Sequence, residues 1–366
     1  MIKRGNKPSV VTSGVTVSYR IINNTTSQKG YFTQFWLNAL KLFGAAPVVD
    51  KGLNLDDPLV SNGLTGDMLP KSGYFIASGI PITPINDNNG WNPFQLAELT
   101  VKDGITGAVL VRTRTTVPTS DEINCAKCHA KGGTLTQVFE DILKKHDQQH
   151  ATNLQNQKPV LCASCHGSPA LQAPLQGTTS FLSQAIHHAH STRGAACYDC
   201  HPGVATKCNR STKHTAADGN CTNCHGTMAN VAATIASGSR TPWADEPKCA
   251  TCHNTGVAEV DTGATLYRNA TGHGGIFCAG CHGSPHAMTP SNQASDNYQS
   301  IQYQGKAMSI GDCRVCHDTS RGDGSAGAFA VEHGGGNHSA CAVCHTGFQN
   351  AANTANWPHH FQWISR

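Results

Sequence analysis

Cysteine and histidine are both absent from the first 124 residues of this 366-residue chain. That stretch has no thiol to cross-link or alkylate, and no imidazole to bind a metal. Aromatic residues make up only 6% of the chain and apolar residues 38%, thin for a protein of this length. Side chains alone leave its core short of material to offset chain entropy. Charged residues are 14% and the formal net charge is +4, with no concentrated basic face, which excludes nucleic-acid binding. No run of about 18 apolar residues occurs, so no membrane span is expected. The basic start, Lys3, Arg4 and Lys7, is not followed by the apolar stretch of an export signal.

All seventeen cysteines and all twenty histidines therefore lie after residue 124. Sixteen of the cysteines belong to one five-residue word, C-x-x-C-H, repeated eight times. The copies are Cys125–Cys128–His129, Cys162–Cys165–His166, Cys197–Cys200–His201, Cys221–Cys224–His225, Cys249–Cys252–His253, Cys278–Cys281–His282, Cys313–Cys316–His317 and Cys341–Cys344–His345. This is the attachment word of c-type haem. Two thiols add across the two vinyl groups of one porphyrin, and the next residue is placed to bind the iron. A zinc ribbon also uses C-x-x-C pairs, but needs no histidine directly after each pair. A disulfide framework would likewise leave the histidines unexplained. Eight covalent haems are expected.

Eight flat apolar macrocycles would supply the core that side chains do not. They also change the charge. Sixteen propionates and eight ferric centres turn +4 into −4, or −12 when every iron is ferrous. Covalent haem attachment implies assembly outside the cytoplasm, so an export signal upstream of this sequence is expected. Cys208 is left over and reads as a small buried hydrophobe. A disulfide from it would have to join two chains.

The expected fold has two parts. Residues 1–120 read as a small β-rich, haem-free leader domain. Val15, Val17, Tyr19 and Ile21 alternate as in a half-buried strand. Phe32, Phe35, Trp36, Ala39, Leu40 and Phe43 recur at helical spacing, with Gly44 and Pro47 to end the helix. A hairpin is expected over Leu99 to Arg114, turning at Asp103–Gly104 or Thr106–Gly107. Pro118 to Asn124 reads as a linker. Residues 121–366 read as an octahaem domain of coil and short helical turns, organised by eight stacked haems. One regular helix is expected there, opened by Thr134 with Gln137 three residues on as a capping box. Val138, Ile142, His146 and His150 then share one face.

Short segments recur. Cys162-Ala-Ser-Cys-His-Gly-Ser-Pro169 matches Cys278-Ala-Gly-Cys-His-Gly-Ser-Pro285, and Gly272-His-Gly-Gly275 is echoed by His333-Gly-Gly-Gly336. Such repetition suits a quasi-linear array. The haem region resembles the outer-surface multihaem c-type cytochromes of metal-reducing bacteria, including those that polymerise into conductive filaments. The segments that carry the resemblance are His146-Asp-Gln-Gln-His150 through His166, Arg240-Thr-Pro-Trp-Ala-Asp-Glu-Pro-Lys-Cys249, and Gly272-His-Gly-Gly through Ser284-Pro-His286. Tyr19-Arg-Ile-Ile-Asn-Asn-Thr and Leu42-Phe-Gly look like the haem-free leader of such exported cytochromes. The resemblance implies an extracellular or outer-surface electron carrier. Its expected partners are copies of itself in a head-to-tail filament, other multihaem cytochromes, and external acceptors such as metal oxides. Related cytochromes also work as monomers.

Each iron needs a sixth ligand or keeps a site open for substrate, and that choice separates a wire from an enzyme. Twelve histidines lie outside the motifs: His146, His150, His187, His188, His190, His214, His273, His286, His333, His338, His359 and His360. Eight are needed for bis-His ligation throughout. Those expected as ligands are His146, His150, His187, His190, His214, His273, His286 and His338, with His359 in reserve and His333 next. His188 and His360 read as neighbours of ligands. Five methionines cannot serve eight irons. The alternative is a multihaem reductase for nitrite, hydroxylamine or tetrathionate with one open haem. Members of those families often replace a proximal histidine by lysine, and all eight motifs here end in histidine.

Overall fold

The structure is a computed structural model. It describes residues 1–317 apart from 6–7, 53, 55–56, 58, 120–124, 170–173, 178, 202–208, 215–219, 243 and 254–264. The eighth motif (Cys341, Cys344, His345), His333, His338, His359, His360, Cys208 and most of the expected linker lie outside the described residues.

Among the described residues eight strands form in the first third: β1 (Ile2–Lys3), β2 (Ser9–Val10), β3 (Val15–Ile22), β4 (Thr65–Asp67), β5 (Leu69–Lys71), β6 (Tyr74–Ile76), β7 (Phe94–Asp103) and β8 (Val109–Pro118). The main sheet is antiparallel with order β4-β3-β7-β8. Its register opposes Tyr19 to Leu99 and Ile21 to Ala97. Alternation along β3 turns Val17, Tyr19 and Ile21 inward, where Tyr19 and Ile21 meet Leu64 and Ala97 in a small core. Tyr19 donates its hydroxyl to the Gly63 carbonyl at 2.8 Å, and burial, aided by Asp67, pushes its pKa up to about 12. The β7–β8 turn is held by Asp103, whose carboxylate accepts from the backbone of Ile105 and Thr106 at 3.0 and 2.7 Å. Helix α1 (Thr33–Phe43) ends at Gly44, which takes the left-handed conformation at φ 69° and donates to the Leu40 carbonyl.

Helix α2 (Leu135–His150) opens with the expected capping box: Thr134 accepts from the Gln137 amide, and Gln137 accepts from the Thr134 amide. The sequence pointed to this one regular helix after residue 121. Among the described residues three more of seven residues or longer form: α3 (Leu182–Ser191), α4 (Met228–Ala236) and α5 (Tyr298–Gln304). Thr227 caps α4 by accepting from the Asn230 amide. Helices α3 and α4 pack on each other. The apolar residues of α3 are few and interleaved with three histidines, which masks its periodicity in the sequence.

The buried apolar side chains after residue 120 are Val138, Ala163, Ala232, Ile235 and Ala287, among the described residues. A protein core of this length normally holds far more. The two regions also touch. Thr113 and Thr116 of β8 hydrogen-bond to Gln302 and Ser295, both at 2.8 Å. Buried Arg210, paired with Asp296 at 2.8 Å, lies over the Phe94 ring. The Gly5 amide donates to the Cys316 carbonyl at 3.1 Å, so the chain start reaches the seventh motif.

Candidate haem-binding sites

Each described motif begins in a single helical turn. In the motifs at 125, 162, 197, 249 and 313 the histidine amide donates to the carbonyl of the first cysteine at 2.8–2.9 Å. Cysteines three residues apart in such a turn share one face, and the histidine follows one turn on. The fourteen described motif cysteines form no disulfide. Among the described residues no three His, Cys, Asp or Glu side chains converge to hold a metal ion. Tetrahedral structural zinc needs four such donors.

The imidazoles instead meet in twos. Six motif histidines each face a histidine from outside the motifs. The ring centres are 6.3 Å apart for His129 and His190, and 6.3 Å for His166 and His146. They are 5.9 Å apart for His201 and His187, and 6.0 Å for His225 and His286. His253 and His214 stand at 6.1 Å, and His317 and His273 at 6.0 Å. An imidazole nitrogen binds a metal ion at about 2 Å and lies about 1.1 Å from its ring centre, so two rings sharing one ion have centres about 6 Å apart. The six separations all fall at the distance that an iron shared between two imidazoles requires. The residues present fit haem.

The donor atoms are oriented by their other nitrogen. His129 Nδ1 lies 3.0 Å from Asp141 Oδ2. His166 Nδ1 donates to the Ser180 carbonyl at 2.9 Å. His187 and His190 donate to the carbonyls of Ser183 and Ile186, both at 2.7 Å. His146 Nδ1 lies 2.9 Å from Thr152 Oγ1, which donates to Asp147 Oδ1 at 2.6 Å. A ring whose Nδ1 is committed in this way presents Nε2 to a metal. Burial holds His146, His187 and His225 below the ordinary imidazole range, leaving them neutral, the form that binds metal.

Helix α3 supplies His187 and His190, three residues apart, to the rings of the third and first motifs. His286 is tied to a distant segment of the chain: its carbonyl accepts from the Arg210 amide at 2.7 Å. His282 is half-buried at the end of its motif turn, and burial lowers its pKa. His150, expected beside His146, is exposed at the end of α2 and packs its ring against His146 at 4.8 Å. His188 is exposed on α3. Sequence reasoning missed Asp141, Thr152 and Asp147. Asp141 precedes Lys145 by one helical turn and reads from sequence as half of a surface ion pair.

The motifs are also neighbours of one another, though not in chain order. Cys125 lies in the field of Cys162, and Cys200 in the fields of Cys125 and Cys128. Cys221 lies close to Cys197, and Cys281 close to Cys316. Lys127 of the first motif pairs with Asp199 of the third, so the first motif neighbours both the second and the third. The third leads to the fourth, and the sixth adjoins the seventh.

Paired imidazoles beside paired cysteines, in a region with little apolar core of its own, define a multihaem c-type cytochrome. In keeping with that class, the family model of cytochrome c3 matches residues 188–265, which carry the third, fourth and fifth motifs with His190 and His214. No curated protein and no solved structure matches the chain. The chain carries covalently bound c-type haems and transfers electrons. No helix among the described residues is long and apolar enough to cross a membrane.

Proposed function

We propose that the chain is an octahaem electron carrier with bis-His ligation, working at the outer cell surface. The six imidazole pairs at 5.9–6.3 Å carry this reading. We assign His190, His146, His187, His286, His214 and His273 as sixth ligands for the first, second, third, fourth, fifth and seventh motifs. His338 and His359 are assigned to the remaining demand. Haem iron, when bound, supplies one-electron exchange between its ferric and ferrous states. Two imidazoles per site keep the donor set the same in both states and leave no face for a substrate. A reductase of the nitrite, hydroxylamine or tetrathionate type needs such a face, so the pairs favour the carrier. The close approach of successive motifs supports transfer along a continuous array. Intact mass of the mature protein should exceed the polypeptide by eight haems. A shortfall, or bound zinc, would overturn the count.

The carrier is further proposed to assemble head to tail into a filament. A thin array leaves its end macrocycles exposed, and a heterologous contact that does not close gives an open helix. Leu37 and Leu40 of α1, 72% and 61% exposed, give the haem-free region an apolar surface suited to a second copy. The segment from Trp357, with His359 and His360, is the other proposed half of the joint. Other multihaem cytochromes and metal oxides are the proposed redox partners. Electron microscopy of purified material at physiological salt is expected to show filaments. Uniform monomers at high concentration would refute assembly and leave the carrier intact.

A further inference from the structure

We propose that Asp141 is a positioning residue that lowers the reduction potential of the haem on the first motif, acting through His129. The inference rests on the haem reading above and goes beyond it.

The partners of the ligand Nδ1 atoms are not alike. His166, His187 and His190 donate to backbone carbonyls, and His146 meets a hydroxyl that stands between it and the Asp147 carboxylate. His129 alone among these five meets a carboxylate directly, at 3.0 Å. A carboxylate carries a full charge where a carbonyl carries a dipole. Accepting the Nδ1 proton in a hydrogen bond, it pushes electron density toward Nε2 and raises ligand basicity. A more basic axial ligand stabilises the ferric state over the ferrous state.

The carboxylate is built in rather than incidental. Asp141 projects from the middle of α2, and its second oxygen is paired with Lys145 one turn further along. Lys145 therefore has two opposed effects. It fixes the side chain, and it drains part of the negative charge that would otherwise fall on His129. The same helix bears His146, next in the chain after Lys145, and that ring faces His166 of the second motif.

The location gives this a consequence for electron flow. The first motif neighbours the third, through the Lys127–Asp199 ion pair, and the second, through α2, whose Asp141 meets His129 while its His146 faces His166. A lowered potential there places an uphill step inside the array, so electrons rest on either side of the first motif rather than on it.

The test is spectroelectrochemical titration of the mature protein with Asp141→Asn and Lys145→Ala. Asparagine keeps the size and a hydrogen-bond acceptor but loses the charge. In D141N one of the eight midpoints is expected to move positive by at least tenfold in its redox equilibrium, about 59 mV for one electron. Haem count and low-spin spectrum should stay unchanged. In K145A the same midpoint should move negative, because the carboxylate is no longer shared. Asp141→Glu should restore the wild-type direction. Unchanged midpoints in D141N with full haem content would overturn the inference and leave the haem reading standing. If D141N matures one haem short, K145A decides: a positive shift or none overturns the proposal. A wild-type protein without low-spin c-type haem would instead remove the reading beneath it.

Discussion

Produced without haem attachment, the chain is expected to lose ordered structure after residue 125 while the sheet of β3, β4, β7 and β8 persists. The described haem region buries five apolar side chains, Val138, Ala163, Ala232, Ile235 and Ala287, three of them alanine. Burying a larger aliphatic side chain contributes roughly 1.5–3 kcal/mol, and an alanine methyl about 0.8 kcal/mol. Fixing one residue's backbone costs about 1–2 kcal/mol. Five such contributions cannot hold a region of this length. The sheet has its own core around Tyr19, Ile21, Leu64 and Ala97, and no histidine or cysteine to lose. Limited proteolysis with mass spectrometry of the haem-free chain checks this. A protease-resistant core spanning residues 125–317 would show that side chains suffice.

The second large effect is expected from His187→Ala. Its ring faces His201 at 5.9 Å and is oriented by the Ser183 carbonyl one turn back on α3. Its removal should turn one haem in eight five-coordinate and high-spin, with new carbon monoxide binding, and leave the other sites low-spin. His188 stands next to it and is exposed, so the double variant with His188→Ala closes the route by which a neighbour could substitute. A fully low-spin spectrum with no carbon monoxide binding in the double variant would show that His187 is not that haem's ligand. His190→Ala tests the same helix one turn later and should affect a different haem, the one facing His129.

Much of the local structure was legible from the chain. Alternation at Val15, Val17, Tyr19 and Ile21 gave β3, and Gly44 gave the end of α1, because both follow from short-range sterics and hydrogen bonds. Thr134 and Gln137 marked the start of α2 for the same reason. Helices α3 and α4 were not legible. Their stability comes from packing on each other, which no periodicity within either segment reports. His146 and His150 looked equivalent at helical spacing. Only the packed structure separates them, since His146 turns to His166 while His150 lies exposed at the last turn.

The sequence by itself determined the eight C-x-x-C-H words, the histidine-free and cysteine-free start, and the shortage of apolar side chains. These are properties of composition and of spacing within one helical turn, and the chain carries them however it folds. Only the tertiary structure decided which imidazole faces which. His129 meets His190 and His225 meets His286 across long stretches of chain, and Lys127 of the first motif comes to pair with Asp199 of the third. The physical reason is range. A hydrogen bond from a histidine amide to a cysteine carbonyl four residues back closes locally. A 6 Å gap between two distant rings is set by the packing of α2, α3 and the loops around them.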